Sequence, residues 1–298
     1  MRRLLLLLVV SAVLSCEDGH ERATGQLHQY QVLPQETGNI ANSPEAHYCY
    51  LDTRAAGIGK LLVFLGGTDS YPRHYQLFSK TAAALGYHVI NVNYVNEQPV
   101  SKCFQAEDET CFARFHEEVL FGGAGSEVIE IDPANSVTSR ILALLAYLDL
   151  HHPEQGWNQF YISGALNYGK VALAGHSQGG GHAAYLAQKY STDRVILFAA
   201  PNDYSEKYGR PAPWCQSEFE TLRTRFFGLL HARDEIASPS YQYAIWNAIG
   251  LLTAADTTSA DGSGFSNAQG LVTDLDPNPD AVPRLKHNVP VRDNAIPH

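Results

Sequence analysis

A short apolar run, a glycine-rich turn and an alanine-rich stretch follow one another in the middle of the chain, and they constrain its fold more than any other feature. Lys170–Ala174 predicts a strand, and His182–Tyr190 predicts a helix. Between them stands Gly175-His-Ser177-Gln-Gly179, whose glycines leave room for a strained backbone conformation at the serine. The segment therefore predicts a strand, a sharp turn and a helix, with the Ser177 hydroxyl projecting above the edge of a sheet.

The same rhythm of strands and helices extends over most of the chain. The predicted strands Lys60–Leu65 and Tyr87–Tyr94 flank a helix that ends near Gly86, and a strand, a helix and a second parallel strand form a right-handed βαβ unit. The other predicted elements are an edge strand near Gln29–Leu33, the helix Ser136–Leu150, the strands Arg194–Ala199 and Arg225–Leu230, and the helix Tyr241–Ile249. We therefore expect an α/β fold with a mostly parallel central sheet and helices on both faces. Glu97–Ser126 and Ala254–Gly270 break this rhythm and are predicted as long loops.

The N-terminal segment has a different character. Residues 1–15 combine a basic start with the apolar stretch Leu4–Val13, which is shorter than the roughly 20 residues that span a bilayer, and they predict a signal peptide and an exported protein. Val13-Leu-Ser-Cys16 also resembles a bacterial lipobox, so membrane anchoring through a lipid on Cys16 is the alternative to simple cleavage. Residues 16–45 are predicted as a tether and edge strand, and residues 46–298 as one domain.

Charge and cysteine content narrow the class of protein further. A formal net charge of −10 disfavours nucleic acid and anionic membranes as partners. We expect a disulfide between Cys103 and Cys111, because they enclose a short polar segment and an exported protein meets oxidising conditions. A pairing of Cys49 with Cys215 is left by elimination only. The cysteines lack the close double spacing of a zinc site, so we expect no structural metal.

Ser177 needs two partners if it is a nucleophile. A serine hydroxyl at neutral pH requires a histidine base, which requires a carboxylate to fix its tautomer, and after this kind of turn the order along the chain is serine, acid, histidine. Asp234 follows the predicted strand Arg225–Leu230 and is the acid that we expect. Its neighbour Glu235, and Asp203 after the preceding strand, remain alternatives.

The histidine is chosen by position, because the chain has 13 histidines. His287 lies beyond every predicted strand and is the expected general base. His298 is the terminal residue, and His231 is expected to bond locally at the end of its strand. His176 and His182 flank the serine and are expected to support the turn.

Acyl transfer also requires hydrogen-bond donors for the oxyanion. One is the backbone N–H of the residue after the nucleophile, here Gln178. The second comes from the loop after the early strand that ends in Leu65-Gly-Gly67-Thr68. We expect Thr68 to supply it, with Gly67 as the alternative.

Taken together, these motifs resemble a known superfamily. Gly175–Gly181, Leu65–Thr68, Gly228–Asp234 and His287 are similar to a secreted serine esterase or lipase of the α/β-hydrolase superfamily. Gly175–His182, with Ala200-Pro-Asn-Asp203 and Ala212-Pro-Trp214, is similar to a little-characterised exported branch of it. That branch has Gly-Ser after its closing histidine, whereas this chain has Asn288-Val289. The resemblance implies an α/β-hydrolase fold over residues 46–298.

The leading hypothesis is therefore hydrolysis of a small-molecule or lipid-like carboxylic ester through an acyl-enzyme on Ser177, without a metal or cofactor. A serine peptidase of the same fold and a non-catalytic exported binding protein are the alternatives. Aromatic residues near the predicted loops are candidates for lining a hydrophobic cleft. These residues are Tyr71, Tyr94, Trp214 and Phe265.

Overall fold

The structure, a computed structural model, describes residues 25–38, 43–252, 257–262 and 268–297. The predicted signal peptide, Cys16, Phe265 and His298 lie outside the described residues. None of the helices in the described ranges combines the length and apolar character that crossing a bilayer requires.

Thirteen strands and five α-helices form the described part of the chain. The strands are β1 Leu27–Val32, β2 His47–Asp52, β3 Leu61–Leu65, β4 His88–Val92, β5 Tyr161–Ile162, β6 Ala165–Leu166, β7 Val171–His176, β8 Arg194–Phe198, β9 Tyr204–Ser205, β10 Arg210–Pro211, β11 Phe226–His231, β12 Thr257–Ser259 and β13 Gly270–Thr273. The helices are α1 Gln76–Ala84, α2 Cys111–Phe121, α3 Val137–His151, α4 Gln178–Lys189 and α5 Pro239–Ile249.

Nine of these strands form one large sheet in the order β1-β2-β4-β3-β7-β8-β11-β13-β12. The β1–β2 and β2–β4 pairs are antiparallel, and all other pairs in this sheet are parallel. Strands β3, β4 and β7 are buried along their whole length, as continuous apolar runs in the middle of a parallel sheet should be. The expected α/β class with a mostly parallel sheet is confirmed.

Helices cover both faces of this sheet. Side chains alternate across a strand, and Leu61, Val63 and Leu65 join one apolar cluster whereas Leu62 and Phe64 join another. The first cluster includes buried residues of α2, α3, α4 and α5, and the second includes buried residues of α1. The two clusters are the hydrophobic cores on the two faces.

Two segments that were predicted as loops contain regular structure, and those predictions were wrong. Glu97–Ser126 contains α2, whose buried face includes Phe112, Phe115 and Val119 at helical spacing. Ala254–Gly270 contains the exposed edge strand β12, and β13 begins at its last residue. Helix α4 also begins at Gln178, four residues before the predicted start, because the glycines after the serine are helical.

The cysteines have two different states. Cys103 and Cys111 form the expected disulfide, which joins the segment before α2 to the first residue of that helix. Cys49 and Cys215 are separate buried thiols, so the pairing left by elimination is not present. Each thiol lies in the packed interior, and burial raises the pKa of both.

The segment after β13 runs back across the molecule without long regular elements. Its Asp293 carboxylate accepts the N–H groups of Gln76 (2.8 Å) and Leu77 (3.1 Å), the first residues of α1. A carboxylate in this position satisfies helix N–H groups that have no partner within the helix. The C-terminal segment is thereby fastened to the first helix.

Candidate active site

Ser177 stands between the last residue of β7 and the first residue of α4, in the turn that the sequence predicts. Its φ of 53° and ψ of −125° form a backbone conformation that residues other than glycine rarely adopt. A side chain at Gly175 would collide with the backbone of Gly179, and one at Gly179 would collide with the backbone of β3. The two glycines therefore permit a tight turn that presents a partly exposed serine at the C-terminal end of a central strand.

Asp234 and His287 are brought together from distant parts of the chain. Asp234 lies just after β11, and His287 lies in a short 3-10 turn of the C-terminal segment. The Nδ1 atom of His287 is 2.7 Å from Oδ2 of Asp234, and both side chains are buried. The other carboxylate oxygen accepts the backbone N–H groups of Ile236 (2.8 Å) and Ala237 (2.9 Å).

These bonds set the charge state of the acid. Burial raises the pKa of the Asp234 carboxyl, but the His287 hydrogen bond, with the two backbone N–H groups, outweighs it and holds the pKa below its usual value. Asp234 is thus an anion at neutral pH. An ionised carboxylate at this distance makes Nδ1 of His287 the protonated nitrogen and leaves Nε2 as the basic one.

Glu235 holds the backbone of the same histidine. Its two carboxylate oxygens accept the N–H groups of Lys286 (2.9 Å) and His287 (3.3 Å). The two neighbouring carboxylates therefore bind different parts of the same segment. Asp234 contacts the imidazole ring of His287, and Glu235 accepts hydrogen bonds from the main chain that carries the ring.

Asp203, the other alternative acid, forms a separate buried cluster. Its carboxylate lies 3.1 Å from Nε2 of His116, and Nδ1 of His116 lies 2.8 Å from Nδ1 of His182. All three side chains are fully buried. This Asp-His-His chain joins the loop after β8 to α2 and α4, and its acid bonds His116 rather than His287.

His176 connects the serine turn to the segment that carries His287. Its Nε2 lies 3.0 Å from the carbonyl oxygen of His287, and its Nδ1 lies 3.1 Å from the hydroxyl of Tyr75. Burial, followed by the nearby His287, holds the pKa of His176 well below its usual value. The expected supporting role of His176 in the turn agrees with these contacts.

The hydroxyl of Ser177 has a partner that sequence reasoning missed. Its Oγ lies 3.2 Å from the side-chain amide of Asn202, in the loop after β8. With the amide turned so that its nitrogen donates to the carbonyls of Ala199 and Pro201, the amide oxygen accepts the serine proton. Nε2 of His287 has no hydrogen-bond partner among the described residues, so the structure does not join it to Ser177. The only sequence signal for Asn202 was its place in Ala200-Pro-Asn-Asp203.

The expected oxyanion donors stand on two neighbouring loops. The hydroxyl of Thr68 donates to the side-chain oxygen of Gln178 (2.9 Å), which joins the loop after β3 to the start of α4. The N–H of Gly67 donates to the hydroxyl of Tyr75, whereas the N–H groups of Thr68 and Gln178 have no acceptor among the hydrogen bonds of the described residues. A Cβ atom at Gly67 would lie 3.1 Å from the Cβ of Ser177, so this loop passes directly over the serine.

A cavity of about 290 Å³ opens at the loops that follow β8 and β11. Asn202, which contacts the Ser177 hydroxyl, and Asp234, which contacts His287, both line it, whereas Ser177 and His287 themselves do not. Its aromatic side chains are Phe104 and Tyr241, not those that the sequence suggested. Tyr94 and Trp214 are buried in the apolar core instead.

Within the described residues, no group of three or more His, Cys, Asp or Glu side chains is placed to hold a metal ion. Searches against known protein families and against curated proteins found no match to this chain.

Proposed function

We propose that this protein is a serine hydrolase of the α/β-hydrolase superfamily that cleaves carboxylic esters through an acyl-enzyme on Ser177. The observation that carries the proposal is the 2.7 Å contact between Asp234 and His287, brought beside the strained serine turn by the contact of His176 with the His287 carbonyl. The chain order serine, acid, histidine is the one found in that fold.

In the proposed reaction, the Ser177 hydroxyl leaves Asn202 and attacks the ester carbonyl carbon. His287 takes the serine proton at Nε2 while Asp234 holds Nδ1–H and stabilises the imidazolium. The imidazolium then gives the proton to the departing alkoxide, and the alcohol leaves. Water, deprotonated by His287, attacks the acyl-enzyme and releases the carboxylic acid and free Ser177.

The N–H groups of Gln178 and Thr68 would stabilise the oxyanion of each tetrahedral intermediate. Their lack of acceptors among the described residues supports this role. Gly67 is less suited because its N–H already donates to Tyr75.

A fluorophosphonate probe and a p-nitrophenyl ester series of increasing acyl length test the proposal. We expect covalent labelling and ester turnover with the wild type and neither with Ser177→Ala. Labelling without ester turnover, together with cleavage of peptides, would favour a peptidase. Absence of labelling in a folded wild-type protein would favour a non-catalytic binding protein.

A further inference from the structure

The cavity of about 290 Å³ that Asn202 and Asp234 line is rich in acidic side chains. The carboxylates of Glu206, Asp234 and Glu235 line it, and among the described residues no lysine, arginine or histidine does.

Two of these carboxylates are not neutralised by a cation. Glu206 accepts a hydrogen bond from the neutral amide of Gln105 (3.0 Å), and Glu235 accepts backbone N–H groups. Neither has an ion-pair partner within the described part of the chain. The basic residues that follow Glu206 are paired elsewhere, Lys207 with Glu107 and Arg210 with Glu109. The cavity therefore keeps an uncompensated negative charge.

Gln242 supplies an independent observation. This fully buried residue lines the cavity, and its amide nitrogen donates to Asp234 Oδ2 (3.2 Å) and to the Ala237 carbonyl (2.9 Å). Those two acceptors fix the orientation of the amide. The amide oxygen, Oε1, is then left without a hydrogen-bond partner among the described residues. A buried acceptor without a partner costs free energy unless a ligand or water supplies a donor.

Aromatic rings complete the lining. One face of the Tyr241 ring stacks on Tyr204 at 3.9 Å between centroids, which holds the ring in place and covers that face, and Phe104 also lines the cavity. The faces of aromatic rings attract cations, and this attraction adds to that of carboxylates.

We infer that this cavity binds a positively charged group of the ester, a protonated amine or a quaternary ammonium. The inference rests on the proposed function and specifies its substrate class. Uncompensated carboxylates and aromatic rings favour either kind of cation, and the unpaired buried acceptor Gln242 Oε1 favours a protonated amine, since a quaternary ammonium has no N–H to donate. The same lining repels carboxylate- or phosphate-bearing esters. Asn202 and Asp234 link the cavity to the reacting groups, so a cation bound there places its ester bond near Ser177.

The test compares acetylcholine with 3,3-dimethylbutyl acetate, its neutral isostere, as competitors of fluorophosphonate labelling. For each compound the measured quantity is the concentration that halves the initial labelling rate at low ionic strength. We expect the cationic ester to protect at a concentration about tenfold lower than the neutral one. In Glu206→Gln this preference should fall about threefold, the scale of one exposed charge pair.

Glu218→Gln is the matched control, since it removes the same charge from an exposed residue that does not line the cavity. Labelling with equal protection by the two esters would overturn the cation site and leave the proposed function standing. An equal fall in Glu206→Gln and Glu218→Gln would also overturn it, because long-range charge would then explain the preference. Failure of Ser177 to label at all would instead overturn the proposed function.

Discussion

Three acidic side chains follow β8 and β11, and each is bonded to a different partner. Asp234 contacts the ring of His287, Glu235 accepts the His287 backbone N–H, and Asp203 bonds His116 in another part of the core. The three side chains are chemically similar, but their contacts differ. Substituting each one separately should therefore have different effects on turnover and on stability.

We expect Asp234→Asn to lower turnover by about 10⁴, the loss found in the best-studied serine protease, because the amide favours the wrong imidazole tautomer. Glu235→Gln should cost much less, since an amide oxygen can still accept one of its two N–H groups. Asp203→Asn should lower the melting temperature but keep turnover per folded molecule. Turnover and melting temperature measured for all three variants check this. A loss of rate confined to Asp203→Asn, at unchanged stability, would show that the acid is misassigned.

Asn202 holds the hydroxyl of Ser177 in the resting arrangement. If the hydrogen bond is worth about 1 kcal/mol, Asn202→Ala should free the serine to turn toward His287 and raise the fluorophosphonate labelling rate about fivefold. Samples quenched at a series of times with limiting probe give the initial rate of fluorophosphonate labelling. The Ser177→Ala variant gives the background of labelling at other residues. Slower labelling in Asn202→Ala would mean that the amide orients the serine for reaction rather than restraining it.

Among single residues, the sequence indicated candidates that a motif marks or that closely follow a predicted strand. Ser177 is marked by its glycines, and Asp234 by the strand that precedes it. Asn202 could not be found this way, because a loop asparagine has the same appearance whether it touches a nucleophile or caps a turn. Its role depends on β8 lying beside β7, which no local pattern states.

Among the secondary-structure elements, helix α2 is joined at its first residue to the preceding segment by a disulfide. The Cys103–Cys111 disulfide closes a short loop immediately before this helix, and His116 on the same helix anchors Asp203. We expect replacement of both cysteines by serine to lower the free energy of unfolding by about 2–3 kcal/mol, on the chain-entropy scale for a short loop.

Urea unfolding of the double variant and of wild type, with and without reductant, measures this difference. Wild type in reductant should match the double variant. Mass mapping of the unreduced protein provides the control, because Cys49 and Cys215 are buried and should remain unmodified by a thiol reagent until the protein unfolds. Free thiols at positions 103 and 111 in that map would contradict the pairing.

The elements that the sequence located best are those buried on both faces or strongly periodic. Strands β3, β7 and β11 and helix α3 agree with their predicted ranges to within two residues. Helix α2 was missed because the cysteines and the flanking polar segment dominate the pattern around its apolar face. The exposed strand β12 was missed because its Thr-Thr-Ser composition carries no apolar alternation, and only pairing with β13 defines it.

For the molecule as a whole, buried neutral histidines make stability depend on pH. Burial, reinforced by Arg140, lowers the pKa of His47 to about 3, from an ordinary value of 6.5. The unfolded chain therefore takes up a proton below about pH 6.5 that the folded chain refuses until about pH 3. His176 and His182 are shifted in the same direction, again chiefly by burial.

We accordingly expect the free energy of unfolding to fall on acidification from pH 6.5 toward 3, with His47 contributing about 1.4 kcal/mol per pH unit. Urea unfolding at a series of pH values measures the slope. His47→Gln keeps an acceptor for the Asn93 N–H and should make the slope shallower, whereas Gln substitution of the exposed His151 should not. Identical slopes in all three proteins would rule out His47 as a source of acid sensitivity.

The architecture could be predicted because its central strands alternate with helices in a regular order. What the sequence could not supply is the path of the irregular segment after β13, which has little periodicity to read. That segment is positioned by tertiary bonds, chiefly those of Asp293 to α1 and of Glu235 to the turn that carries His287.

The attachment of this last segment to the first helix has a consequence for how the protein comes into being. A chain is made from its N-terminus, so Ser177 and strand β7, which precedes it, leave the ribosome about a hundred residues before His287 does. Under the proposed function, the newly made chain carries a nucleophile without a base until the C-terminal segment docks through Asp293. The newly made protein is therefore inactive under the proposed function, and it becomes active only when the whole fold is complete.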